Sequence, residues 1–185
     1  MDREKQAIQP LAIGLTLGAA LLRLAPHPPN FAPIGSVALF GGAKLRGWQA
    51  YCIPVLAMIV TDPLLSYVVG RPAYSWITPV IYGCFLLNVA LGRLFLSKSA
   101  SYLRVGSVAL LGSVQFFLFT NFFEWLRPAS FYPHTAAGLL ACYVAAIPFF
   151  GFTAFGDLFY SSVFFGLYSL LERFGHRARI RSAAA

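Results

Sequence analysis

Long unbroken apolar runs organise this chain, rather than an alternation of apolar and polar positions. Trp48–Gly70, Tyr74–Leu96 and Tyr102–Leu126 are predominantly apolar. Each is long enough for a helix crossing a bilayer core, which takes about 20 residues. Pro10–Ala25 is slightly short for that purpose. Pro33–Leu45 is shorter still and rich in glycine, so it is either a thin span packed inside a bundle or a re-entrant piece. Thr135–Phe174 is too long for one span, because about 40 residues of helix reach about 60 Å. Pro148 and Gly151 are break points for it. They predict a surface or dipping segment, Thr135–Phe149, followed by a crossing at Gly151–Phe174. The expected fold is all-α and integral to the membrane: a six-helix transmembrane bundle with a short glycine-rich second span and a broken last helix. Residues 1–174 would form one transmembrane domain and residues 175–185 a basic tail.

Composition agrees. The chain is 58% hydrophobic and 11% charged, whereas a soluble domain carries about 25% charged residues. Its net charge of +8 does not point to nucleic acid, because the basic residues follow the span boundaries. With the N-terminus in the cytoplasm, Arg3, Lys5, Lys44, Arg46, Arg93, Lys98, Arg104, Arg173, Arg177, Arg179 and Arg181 fall inside; Arg23, Arg71 and Arg127 fall outside. That asymmetry follows the positive-inside rule and predicts six crossings with both termini cytoplasmic. The apolar run after MDREKQAIQP has no small-residue cleavage site and reads as the first span rather than a removed signal peptide. Cys52, Cys84 and Cys142 stand singly in apolar runs and read as small core residues.

Between the first two apolar segments lies RLAPHPPNFAP, residues 23–33. Its prolines fix φ and remove backbone donors, so the stretch is a stiff loop at a membrane edge. It either aims His27 and Asn30 at a ligand or is a rigid turn. The polar residues within spans extend the question, since each costs free energy in lipid and needs a partner or a task. Asp62, Glu124 and Asp157 fall at similar outer depth on three different spans, with Asn121 one turn below Glu124 and with Trp76 and Trp125 at span ends. One reading is an outward-open pocket lined by His27, Asn30, Asp62, Trp76, Asn121, Glu124, Trp125 and Asp157. The other is interhelical pairing, with Asp157 favoured over Asp62 as the partner of Arg23 and Glu124 favoured as a ligand contact. His27 and His134 lack metal-ligand spacing, and no serine or cysteine sits in a nucleophile turn, so neither a metal, a cofactor nor catalysis is expected.

The pieces PHPPNFAPIGSVALFGGA, FFLFTNF with the following Trp125, YP-T-GL-CY-IPFF and GDL-Y-FG span most of residues 23–166. In that combination the chain resembles an uncharacterised bacterial family of membrane transport proteins. That family in turn resembles, more distantly, the S components of energy-coupling factor (ECF) vitamin transporters. The resemblance implies a six-helix membrane protein that binds a vitamin or metal near its outer face under the loop after the first helix, and the reading drawn from it is a bacterial inner-membrane protein that takes up a vitamin or its precursor. The resemblance also implies docking through small residues of the first helix, here Gly14, Gly18 and Ala19, onto a transmembrane coupling protein driven by two ATPases. The chain has no phosphate-binding loop of its own. The rival readings are a structural or assembly membrane protein without a ligand, a stand-alone secondary transporter and a membrane enzyme.

Overall fold

The computed structural model describes residues 2–25, 28–70 and 72–183. Among them the chain is helical, without strands: α1 (Asp2–Leu22), α2 (Ile34–Lys44), α3 (Gln49–Val69), α4 (Thr78–Leu91), α5 (Tyr102–Leu126) and α6 (Ala136–Ala183). A π-helical turn, Gly92–Leu96, continues α4. Of these, α3, α4 with its π turn, α5 and α6 are long and apolar enough to cross a membrane. The apolar part of α1, Gln9–Leu22, is shorter.

The second apolar segment resolves in favour of packing inside the bundle. Helix α2 is the centre of the fold, and every residue from Ile34 to Ala43 is buried. It touches all five other helices, which close a ring around it in the order α1, α3, α4, α5, α6. Its sequence IGSVALFGGAK explains this position, since small residues let neighbouring backbones approach. A Cβ on Gly42 would overlap the Val89 carbonyl, and one on Gly92 would overlap the Leu39 carbonyl. Helix α2 therefore crosses the end of α4 in direct backbone contact. The π turn begins at this crossing. Phe40 fills the space on the opposite side, with Phe164, Phe165 and Tyr168 of α6 around its ring at 5.2–6.3 Å. Apolar residues that face outward, such as Leu56, Val60, Leu103, Leu140 and Phe155, form the lipid-facing surface.

The predicted break in the last helix does not occur. Helix α6 runs without interruption through Pro148 and Gly151 to Ala183. Pro148 lies on the exposed side of α6, and nothing packs within 4 Å of a Cβ placed on Gly151. A single missing backbone donor in a long apolar helix is tolerated, as it is at Pro54 and Pro63 within the unbroken α3. The first part of α6 folds back along α5, where Cys142 meets Asn121 and Asp157 meets Ser113. Farther on, α6 runs alongside α2 in the same direction, from Asp157 beside Ser36 to Tyr168 beside Lys44. Cys84 and Cys142 are buried and Cys52 is half-buried, all as free thiols. The end of the bundle holding Arg23 to Pro33 is called the loop end below, and that holding Lys44 and Arg93 the basic end.

Candidate functional site

The ends of α1 and α3 come together at the loop end around an ion pair. Arg23, just past α1, sets its guanidinium 2.7 Å from the Asp62 carboxylate, and the two side chains are only 12% and 11% exposed. A second guanidinium contact reaches Thr61 Oγ1 at 3.0 Å. From α4, the Tyr82 hydroxyl donates to the other Asp62 oxygen at 2.5 Å. Three elements thus converge on one carboxylate. Beside it opens a cavity of about 330 Å³, lined by Arg23, by Met58, Asp62 and Leu65 of α3 and by Ile81, Tyr82 and Phe85 of α4, with Ala73, Ser75 and Thr78 at the loop before α4. Polar and apolar side chains alternate along both helices that line it, with Asp62 between Met58 and Leu65 on α3 and Tyr82 between Ile81 and Phe85 on α4, a mixture that suits a small molecule with both polar and apolar groups.

Asn30 has φ +63°, a left-handed conformation that asparagine tolerates better than most residues. Next to it Phe31 inserts among Phe155, Phe159 and Tyr160 at 5.3–6.0 Å. That aromatic anchor seats the proline loop on α6. Asn30 and Asn121 share a separate cavity of about 190 Å³, walled by Phe116, Phe117, Phe149 and Phe150. The Asn121 amide also donates back to the Phe117 carbonyl at 2.8 Å. His27 lies outside the described residues.

Asp157 does not pair with Arg23, contrary to expectation. It points into the bundle centre and is 6% exposed. Its carboxylate accepts from Ser113 Oγ at 2.7 Å and packs against Gly35, where an added Cβ would overlap it. Ser36 Oγ donates to the Asp157 main-chain carbonyl, and Ser161 Oγ donates to Ser36, both at 3.0 Å. Among the described residues no salt bridge reaches this carboxylate. Helix α2 stands between Asp157 and the Arg23–Asp62 pair, so the two acids cannot share a site.

The remaining predicted residues lie apart from that pair. Glu124 is paired with Arg127, three positions on, at 3.0 Å. Trp125 Nε1 donates to the Pro133 carbonyl at 3.0 Å, and its ring meets His134 at 5.5 Å. Glu124 and Trp125 thus brace the turn between α5 and α6. Trp76 is half exposed and lines neither loop-end cavity. The single pocket expected from common depth is therefore divided among two cavities, a buried core cluster and a turn. On α1, Gly14 and Gly18 face open space, whereas Ala19 is buried against the core and is not on their face. Tyr82, Ser36, Ser113 and Ser161 were not singled out in the sequence. Hydroxyls within apolar runs are the signal that marks them, since each needs a partner there.

No curated protein and no solved structure matches this chain. Residues 4–179 match the family described as a family of unknown function, DUF6580, and the protein belongs to that family.

Proposed function

We propose that the protein is a substrate-binding membrane transport protein that takes up a small water-soluble nutrient, a vitamin or its precursor, at the loop end. In this reading the loop end is the outer side of a bacterial inner membrane, the chain crosses six times with both termini cytoplasmic, and the architecture is that of an ECF S component. The carrying observation is the cavity of about 330 Å³ between α3 and α4, in which Arg23, Asp62 and Tyr82 lie beside Phe85 and the loop before α4. Small-molecule sites usually fall between about 300 and 1,000 Å³, so a compact ligand suits this one. The open face at Gly14 and Gly18 supports docking of a membrane-embedded coupling protein that carries two ATPases.

The experiment is native mass spectrometry of gently purified protein. The reading expects a bound species of a few hundred daltons that is lost from Ala73→Phe, a substitution that fills the cavity without touching the ion pair. A wild-type protein with no bound small molecule, or a variant that keeps it, would count against the reading.

A stand-alone secondary transporter is the second reading, favoured by one observation. Asp157 is a buried carboxyl ringed by hydroxyls in the bundle centre, and ionisable groups within membranes often carry coupling ions. Reconstitution separates the two. Purified protein alone would accumulate the ligand in vesicles under the second reading and would only bind it under the first.

A further inference from the structure

A further cavity lies at the basic end of the molecule. It has a volume of about 590 Å³ and is lined by Gln9, Lys44, Arg46, Arg93, Tyr168 and Glu172, among others. Five elements meet there: α1, the end of α2, the α2–α3 turn, the π turn and the last part of α6. We propose that this cavity binds a phosphate monoester group, with Lys44, Arg46 and Arg93 as its cationic contacts.

The side chains are held for such a role. Lys44 sets its ammonium 4.6 Å from the centre of the Tyr168 ring, which keeps the charge at the cavity wall without consuming it in a salt bridge. Arg93 is presented by the π turn, and such turns recur at functional sites. Its guanidinium spends one contact on the Gly47 carbonyl at 3.4 Å, which ties it to the α2–α3 turn. The other guanidinium donors have no protein acceptor among the described residues. Among the described residues neither arginine nor Lys44 enters a salt bridge; the pairs found there are Arg23–Asp62 and Arg127–Glu124.

Charge arithmetic selects the ligand class. Among the described residues three cations line the cavity against one acid, Glu172, an excess of two positive charges. A phosphate monoester carries about −1.5 to −2 at neutral pH and matches that excess. Arginine forks engage its oxygens in pairs, and lysine adds a point charge. The cavity is much larger than a phosphate, and Gln9 and Ser97 can bond to the group that bears it. The same chemistry occurs in the headgroup of a phosphatidate-type lipid and in a soluble phosphate ester, since basic pockets between helices at a membrane surface also hold lipid headgroups.

Two arms test this. In the first, protein in an uncharged detergent is titrated with inorganic phosphate, with chloride replaced to hold ionic strength constant, and thermal stability is followed. In the second, native mass spectra are taken from micelles doped with dioleoyl phosphatidic acid or with dioleoyl phosphatidylcholine. The wild type is expected to show saturable stabilisation by phosphate, selective retention of phosphatidic acid, or both. Phosphate alone assigns a soluble ester, and phosphatidic acid assigns the lipid headgroup. Arg46→Gln and Arg93→Gln should each weaken binding about fivefold, the effect of about one charge near the surface. Glu172→Gln should tighten it, and Arg104→Gln, outside the cavity, should leave it unchanged. Arg46→Gln guards against misfolding of Arg93→Gln, because the Arg46 side chain holds no other element in place. No saturable response in either arm overturns the proposal, as does binding of equal strength in the wild type, Arg46→Gln and Arg93→Gln.

Discussion

The Arg23–Asp62 pair permits the most exact test of the packing at the loop end. Replacing Asp62 by Asn keeps the shape but removes the charge that faces Arg23 at 2.7 Å. Thr61 still accepts from the guanidinium, but a neutral hydroxyl replaces little of the attraction that the carboxylate supplies to a side chain only 12% exposed. Removing one partner of a buried pair costs about 3–5 kcal/mol, and the retained Thr61 contact places this case near 3. Arg23→Gln should cost less, because Asp62 retains the Tyr82 hydroxyl at 2.5 Å. The double variant Arg23→Gln/Asp62→Asn removes both charges and should recover most of the larger loss. Tyr82→Phe, which deletes a hydrogen bond to a charged group, should cost about 1.5–3 kcal/mol. The assay is reversible chemical unfolding in detergent micelles for the wild type, both single variants and the double. Losses that add to within about 0.5 kcal/mol would refute the reasoning, since independent sites behave that way.

Three further outcomes are expected. Gly42→Ala and Gly92→Ala force the α2–α4 crossing apart and should each destabilise by at least about 1–3 kcal/mol, whereas Gly18→Ala, which meets open space, should lose nothing; equal thermal stability of all three would contradict the central placement of α2. Asn30→Ala, forced into φ +63°, should cost about 1–2 kcal/mol while Asn30→Gly is tolerated, a contrast visible in melting temperatures and absent if the loop simply rearranges. A reporter fused behind residue 185 should read cytoplasmic and one inserted in the turn at residues 129–135 should read external; the reverse result would invert the outer and inner ends.

The long helices were legible because a predominantly apolar run of sufficient length has few alternatives in a chain this poor in charge. The buried state of α2 was half legible: its glycines announced close packing, but only the ring of five helices shows that all of its faces are covered. Pro148 misled because a proline within a long apolar helix need not end it: α3 also runs unbroken through Pro54 and Pro63, and Pro54 is buried. The acids show a different gap. Depth along a span can be counted from the sequence, whereas the angular position around the bundle depends on neighbouring helices. Counting places Asp62 and Asp157 at one depth, yet one turns to Arg23 and the other to Gly35 and Ser113. Glu124 carried its answer in the sequence, since Arg127 lies three residues on, within reach on a helix end. The cavity at the basic end was missed because its cations read as topology signals, a role that does not preclude a second one.

The measurement that addresses the central claim most directly is an experimental structure of the protein purified from native membranes without added ligand. The account predicts density for a compact small molecule in the loop-end cavity, contacting Arg23, Asp62 and Tyr82 and lying against Phe85. A well-ordered cavity that is empty, or that holds only an acyl chain of lipid or detergent, would contradict it.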